Sequence, residues 1–311
     1  MIPYTPISLP PPQLHIKPST SFFVIGSCFS EHISARLAQG GFTVCANPFG
    51  TLFNPASIAQ GVSALLNEAV NEAWVYEGHE GRWHSTMHST LFSAATREAC
   101  FENIHQHWAQ HCQSLKNAQV VMVTFGTAHV YVKNHQVVAN CHKQPAKHFQ
   151  KRRLSVAEIV AMWQETLTAL WAATPNAQVL FTVSPFRYMN EGTHEGTLTK
   201  AILHLAIDEL MQWNNKIVYF PSYEIIMDEL RDYRFYDTDM LHISEQAAEY
   251  VWKRFADWSF APNTWQYVKE YQALQKALNH KPRDPLSPES IAFKAQTLEK
   301  LKQLKLVRSE E

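Results

Sequence analysis

Ser27 stands in Ile25-Gly26-Ser27-Cys28-Phe29, after an apolar, β-rich run at 21–26 (Ser-Phe-Phe-Val-Ile-Gly) and before Ser30-Glu31-His32-Ile33-Ser34-Ala35-Arg36-Leu37, whose apolar residues have helical spacing. The order is strand, tight turn, helix. A serine there sits where helix N-terminal amides point, so its own N–H can stabilise an oxyanion while Oγ attacks an acyl carbon. Gly26 permits the sharp approach. Serine is also a routine helix cap, and capping is the competing account of this residue. Cys28 is the alternative nucleophile. The residue that ends the strand lies at the sheet's C-terminal edge, so Ser27 is expected to be exposed and Cys28 packed against the sheet.

The second chemical element is Asp239-Met240-Leu241-His242, which follows the last expected strand and a loop. An Asp three residues before a His lets one turn deliver a general base and the carboxylate that sets its tautomer. In chain order the nucleophile follows the first strand, and the Asp/His pair precedes the last helix of the domain.

That order resembles the SGNH (GDSL-like) hydrolase superfamily, and more closely the GSCFA family, whose name motif is matched by Gly26-Ser27-Cys28-Phe29-Ser30 with Ser in place of the final Ala. The resemblance continues through Asn47-Pro48-Phe49-Gly50-Thr51-Leu52-Phe53-Asn54-Pro55, Thr124-Phe125-Gly126-Thr127-Ala128, Asn140-Cys141-His142-Lys143-Gln144-Pro145, Thr182-Val183-Ser184-Pro185-Phe186-Arg187 and the segment from Tyr223 to Phe235, and covers roughly residues 20–257. It implies Ser27 as nucleophile, His242 as general base and Asp239 as its orienting partner. It also implies oxyanion donors near Asn47 to Gly50 and on Gly126-Thr127-Ala128, where Ala128 replaces the superfamily's asparagine. Loss of one such donor typically costs about 2.7 to 4 kcal/mol in the transition state. Asn47, Asn54, Thr127 and His129 are the candidates to compensate. Asn47 comes first because it lies just past the second strand, with an Asx turn before Pro48 as its competing account.

Other polar residues could line a substrate mouth. His84, His88 and Ser89 lie in the donor-rich stretch 83–90, which reads equally as a solvated loop. Cys141 and His142 are adjacent, and neighbours in a strand face opposite ways, so His142 is expected to contact substrate and Cys141 to be buried. Arg187 and His194 could bind an anionic or polyhydroxyl substrate, or form an exposed turn and a helix cap. The basic run Lys147-His148-Phe149-Gln150-Lys151-Arg152-Arg153 reads as a solvated loop that could hold a phosphate-bearing group such as coenzyme A.

These residues need a scaffold. Buried strands are expected at 21–26, 42–46, 119–125, 178–184 and 216–220, and helices at about 56–69, 99–116, 154–173 and 194–214, with Ser155 and Glu158 opening the third. Alternation of the two implies an α/β fold of three layers, with a mostly parallel five-stranded sheet flanked by helices. Segments 72–92 and 128–150 read as insertions built on β-hairpins. The expected division is an extended arm over 1–20, a catalytic domain over 21–260 closed by a helix from Ser244, and a helical extension over 261–311 that packs back or mediates association.

Composition narrows the function classes. The 311 residues are 46% hydrophobic and 18% charged, enough for a sizeable core. A net charge of -1 gives no field to recruit nucleic acid or an anionic membrane. No stretch approaches a membrane span and the N-terminus lacks a signal-peptide pattern, so the expected location is cytoplasmic. The five cysteines are odd in number and never in a CxxC pair, which excludes a disulfide framework and a thiolate zinc site. His84 and His88 are four apart and His105, His107 and His111 share an expected helix, yet no metal motif is present; neither metal nor organic cofactor is expected. The expected function is hydrolysis of an acyl ester, such as O-deacetylation of a carbohydrate or cell-envelope precursor. The alternatives are an O-acyltransferase drawing on acyl-CoA with the same serine and histidine, and a non-catalytic carbohydrate-binding protein on a degenerate scaffold.

Overall fold

The first strand, β1 (Ser21–Gly26), divides the protein into its two cores: Phe22 and Val24 enter one, Phe23 and Ile25 the other. Successive side chains of a strand point to opposite faces, so an uninterrupted apolar run demands cover on both sides. The structure is a computed structural model and describes residues 5–11, 14–78, 81–189 and 192–310. Parts of the expected arm (1–4, 12–13), of the 72–92 insertion (79–80) and the last residue of the extension (311) lie outside the described residues.

After β1 the chain forms α1 (Cys28–Gln39), β2 (Thr43–Ala46), α2 (Pro55–Leu66) and a small antiparallel pair, β3 (Val75–Glu77) with β4 (Trp83–Ser85). Two helices follow, α3 (Arg97–His105) and α4 (Trp108–Lys116), then β5 (Val120–Phe125). A three-stranded antiparallel sheet, β6 (His129–Lys133), β7 (Gln136–Val138) and β8 (Gln150–Arg153), precedes α5 (Val156–Ala173), β9 (Gln178–Val183), α6 (Thr193–Trp213) and β10 (Ile217–Tyr219). A short α7 (Ser222–Glu224) runs into a π-helical turn at Ile225–Leu230, and α8 (Glu245–Ser259), α9 (Thr264–Asn279) and α10 (Pro288–Glu310) complete the chain.

The central sheet has the order β10-β9-β5-β1-β2, and every neighbouring pair is parallel. One face is covered by α2, α4, α5 and α6 through Ile58, Leu115, Trp163 and Leu203, the other by α1, α8 and α9 through Ile33, Phe255 and Val268. This is the expected three-layer α/β architecture. The chain leaves β1 for β2 on one side and returns to β5 on the other, so the sheet's switch point lies between β1 and β5, where open parallel sheets form their ligand crevice. Ser155 and Glu158 make a reciprocal capping box at the start of α5. The arm is tied down by Ile16, which bonds to Ser259 O and accepts from Ala261 N, and the extension packs back through Tyr267, Val268 and Leu301.

Three local expectations are corrected. The single helix over 99–116 is two helices, so His105, His107 and His111 do not share one axis. Its buried residues Cys100, Ile104, Trp108 and Cys112 repeat strictly every four, which drifts about 40° per step around a straight helix; the break at Gln106–His107 resets the face. The basic run is not all loop, because Gln150–Arg153 adds an edge strand to β6. Its residues are polar or charged throughout, so it lacks the apolar alternation that marks a strand. Cys141 and His142 lie in a turn, not a strand, with His142 at φ 45°.

Gly26 ends β1 at φ +149°, against β5. A Cβ there would lie 2.4 Å from Thr124 O and 2.8 Å from Thr124 N, backbone atoms that cannot swing aside. Gly26→Ala is therefore expected to cost about 2 to 3 kcal/mol. Urea unfolding should show a lower midpoint at unchanged slope; a midpoint equal to wild type would mean that β1 and β5 part here without cost. Among the described residues no helix is long and apolar enough to cross a membrane.

Candidate active site

The turn between β1 and α1 places Ser27 at the start of a helix, yet its side chain makes no capping bond. Its Oγ is buried with no hydrogen-bond partner among the described residues, and the residue is 1% exposed. The expected arrangement of an exposed Ser27 over a buried Cys28 is thus reversed, since Cys28 is the half-buried one. Gly126 packs against Ser27 and contributes to its burial: its α-carbon lies so close that an added Cβ would stand 3.3 Å from Ser27 Cβ. The Ser27 N–H is also not free, because it donates to Thr124 O at 3.2 Å and continues the β1–β5 ladder. Burial, with help from Glu31, raises the Cys28 thiol, so Cys28 is protonated at neutral pH and a poor nucleophile.

Asp239 and His242 come together as their spacing predicts. Asp239 Oδ2 is 2.5 Å from His242 Nδ1, and Oδ1 accepts the backbone N–H groups of Leu241 and His242, each at 2.9 Å. The bonds from His242 hold the Asp239 carboxyl down at about 2, so it is ionised across the physiological range. A carboxylate on Nδ1 fixes the tautomer with Nε2 available as a base. The imidazole leans on Phe186, ring centres 4.4 Å apart, and is half exposed. The turn carrying the pair is closed by the Tyr236–Ile243 bridge and by Asp237 N donating to His242 O. With Ser27 Oγ unpartnered, the structure joins Asp239 to His242 but does not hydrogen-bond His242 to Ser27.

The loops that follow β2 and β5 flank Ser27. Asn47 sits at φ 44°, a left-handed conformation that asparagine tolerates. Its Oδ1 accepts from Gly26 N at 3.0 Å, which orients the amide, and Nδ2 reaches Ser30 Oγ at 3.1 Å. A second Nδ2 hydrogen remains for another acceptor. The Gly50 N–H closes a turn on Asn47 O. The Gly126 and Thr127 N–H groups both donate to Phe53 O, at 2.8 and 2.9 Å. Asn54 caps α2 through Ser57 N. Of the expected oxyanion donors, Asn47 is the one whose side chain bonds Gly26, the residue before Ser27.

Sequence reasoning missed Lys200. Its Nζ is buried and donates to Gly126 O and Ser184 O, both at 2.7 Å, joining α6 to the ends of β5 and β9. Burial, with a contribution from Arg187, lowers the ammonium to about 7. A signal existed: Lys200 occupies the apolar stripe of α6 with Leu203, Ile207 and Leu210, where an unpaired lysine would be costly.

The remaining candidates scatter. His88 is buried among Phe49, Trp74 and Phe92 with Nδ1 on Ser85 Oγ, and burial lowers it to about 3, so it is a neutral core histidine. Ser89 Oγ is buried against Gly50. His84 stacks on His142, which bonds Ser85 O at 2.6 Å; both lie at the β3–β4 insertion, not beside Ser27. His129 is held between Thr199 and Glu195, next to the Thr127 hydroxyl, and His194 is exposed. Arg187 follows β9 and bonds Tyr223 Oη. The basic run spends Arg152 on Glu158 and Arg153 on Glu195, and lays Lys151 over Tyr131 and Tyr188. Trp108 is buried in the core. Among the described residues no group of three His, Cys, Asp or Glu could hold a metal ion.

Similar solved structures include a carbohydrate esterase family 3 from Talaromyces cellulolyticus, with TM-score 0.37 and 9% identity, covering 81% of this chain and 99% of that one. The Clostridium thermocellum family 3 carbohydrate esterase gives TM-score 0.37 and 10% identity over 81% of this chain and 98% of that one. A family two carbohydrate esterase from Clostridium thermocellum in complex with cellohexaose gives 0.38 and 10% over 81% and 65%. No curated protein matches the chain. A profile described as the C-terminal domain of GSCFA domain proteins matches residues 271–308, and the profile of the GSCFA family matches residues 21–255. That second match runs from β1 through Ser27 and the Asp239–His242 turn into α8, and on it the chain belongs to the GSCFA family.

Proposed function

We propose that the chain is a serine esterase of SGNH type, with Ser27 as nucleophile, His242 as general base and Asp239 as the carboxylate that orients it. The observation that carries this reading is the buried Ser27 hydroxyl, which neither caps its helix nor meets any partner among the described residues. Such a group costs about 1 to 3 kcal/mol, a cost that capping would have removed. In the reaction His242 Nε2 takes the Ser27 proton as Oγ attacks the acyl carbon. The alcohol then leaves with that proton, and water deprotonated by His242 hydrolyses the acyl-enzyme. Asn47 Nδ2 serves as side-chain donor to the oxyanion, in place of the asparagine that Ala128 replaces. The hydrogen bond between His242 and Ser27 has to form when substrate binds; catalytic bonds are often loose before that.

The acyl ester of a carbohydrate is the substrate class we favour, acetyl being the simplest acyl group. Hydrolysis is preferred to acyl transfer, because three cations of the basic run are already held within the protein, Arg152 on Glu158, Arg153 on Glu195 and Lys151 over Tyr131 and Tyr188. Incubation with 4-nitrophenyl acetate and quenching before turnover is expected to add the mass of one acetyl group, mapped by peptide digestion to Ser27. Acetylation at another residue, or an equal adduct on folded Ser27→Ala, would sink the assignment.

A further inference from the structure

A cavity of about 390 Å³ opens beside the Asp239–His242 turn, between the segment after β9 and the π-helical turn. Its wall includes Met240 and Leu241 of the turn itself, Ile226 and Met227 opposite, and Arg187. Arg187 adjoins Phe186, on which the His242 imidazole rests, so the cavity is next to the candidate base.

Among the described residues the charges around this cavity do not balance. Arg187 is half-buried, and its partners are neutral: Tyr223 Oη at 3.3 Å and Met227 Sδ at 3.8 Å. No carboxylate among the described residues pairs with it. Asp232, the one acid on the wall among the described residues, is turned onto Arg234, which donates to both its oxygens, and Asp228 sits with Arg231. The Arg187 charge is felt instead by two groups that cannot neutralise it, the Lys200 amine behind it and the Tyr236 hydroxyl across the cavity. A half-buried guanidinium normally takes a carboxylate or phosphate on its planar fork. Here the fork is left for something that enters the cavity.

We propose that this cavity binds an organic carboxylate or phosphate through Arg187, so that the ester taken by the site carries an anionic group close to its scissile bond. The placement of the ester rests on the esterase reading; the anion site does not. The methionine and isoleucine walls suit an anion on an organic body, which fits a charged sugar derivative better than an inorganic ion.

Calorimetric titration with 4-hydroxybenzoate, phenyl phosphate and neutral 4-hydroxybenzamide tests this. At least one anion is expected to bind about tenfold or more tightly than the amide, in wild type and in Ser27→Ala alike, and the ratio should fall to near one in Arg187→Met. Arg187→Lys keeps the charge without the fork and should retain phosphate binding while losing the carboxylate; it keeps the test readable should Arg187→Met not fold. Equal binding of anions and amide, or a preference that survives in both variants, overturns the proposal. Hydrolysis of 4-acetoxybenzoate and its methyl ester separates the two readings. Turnover of both with no anion preference overturns this inference and leaves the esterase standing, whereas anion binding without Ser27-dependent turnover does the reverse.

Discussion

Ser27→Ala, His242→Ala and the double variant are expected to lose the same share of turnover on an activated acyl ester, on the order of ten-thousand-fold in kcat. Either change removes the whole proton-coupled attack, so the second finds nothing left to remove. The comparison is informative here because no hydrogen bond joins the two side chains: Ser27 Oγ is unpartnered among the described residues and His242 is half exposed. If they act as one unit, that hydrogen bond must form during the reaction. Steady-state kinetics on the three variants, with thermal melts to show that each is folded, decides it. Losses that multiply in the double variant would mean independent roles, and a Ser27→Ala enzyme within tenfold of wild type would remove the nucleophile assignment. Asp239→Asn should lose less, because Asp239 and His242 are both half exposed and water can share in stabilising the imidazolium.

Much of the scaffold was legible because its signals are local. Each strand of the central sheet except the half-exposed edge strand β2 is an apolar run covered on both faces, and each turn that follows delivers a short polar motif to the same sheet edge. The Asp239–His242 bond was legible too, since a three-residue separation within one turn leaves little to tertiary structure. Long-range contacts were not. Nothing near Ser27 in sequence announces that Gly126 will close over it, or that Phe53 O will take the Gly126 and Thr127 amides. His88 looked like a mouth residue because its neighbours are polar, but aromatic rings from Phe49 and Trp74, distant in sequence, bury it. The edge strand Gln150–Arg153 was hidden because its stability comes from pairing to β6 and from ion pairs, which no apolar pattern records. Lys200 was overlooked because lysine is ordinarily a surface residue, although its place on the α6 stripe was there to be read.

Lys200→Met is expected to destabilise the protein by about 4 kcal/mol at high pH, since an apolar chain of similar length fills the space but leaves the buried Gly126 and Ser184 carbonyls without donors. The size should depend on pH in a direction that linkage fixes. The groups facing Lys200 are Arg187 and Cys28, with Tyr223 beneath the ammonium and His204 nearby. Burial lowers the folded amine to about 7 against an ordinary value of 10.5, so between those limits the unfolded chain holds a proton that the folded one has released. Wild-type stability therefore gains over this window as pH rises, and below it both states are protonated and the gain is absent. The difference between wild type and Lys200→Met should be larger at pH 10 than at pH 6 by a few kcal/mol, groups common to both chains cancelling. Urea unfolding at the two pH values measures it; a difference independent of pH would mean that Lys200 stays charged throughout, held by its two carbonyls. Catalysis should fall as well, because the Gly126 carbonyl that Lys200 holds belongs to the loop packed against Ser27, and a shift there displaces the proposed nucleophile from the acyl carbon. A Lys200→Met enzyme that unfolds earlier yet keeps wild-type kcat would confine the residue to stability. Loss of kcat at a pH where both proteins remain folded would make it a positioning residue for Ser27.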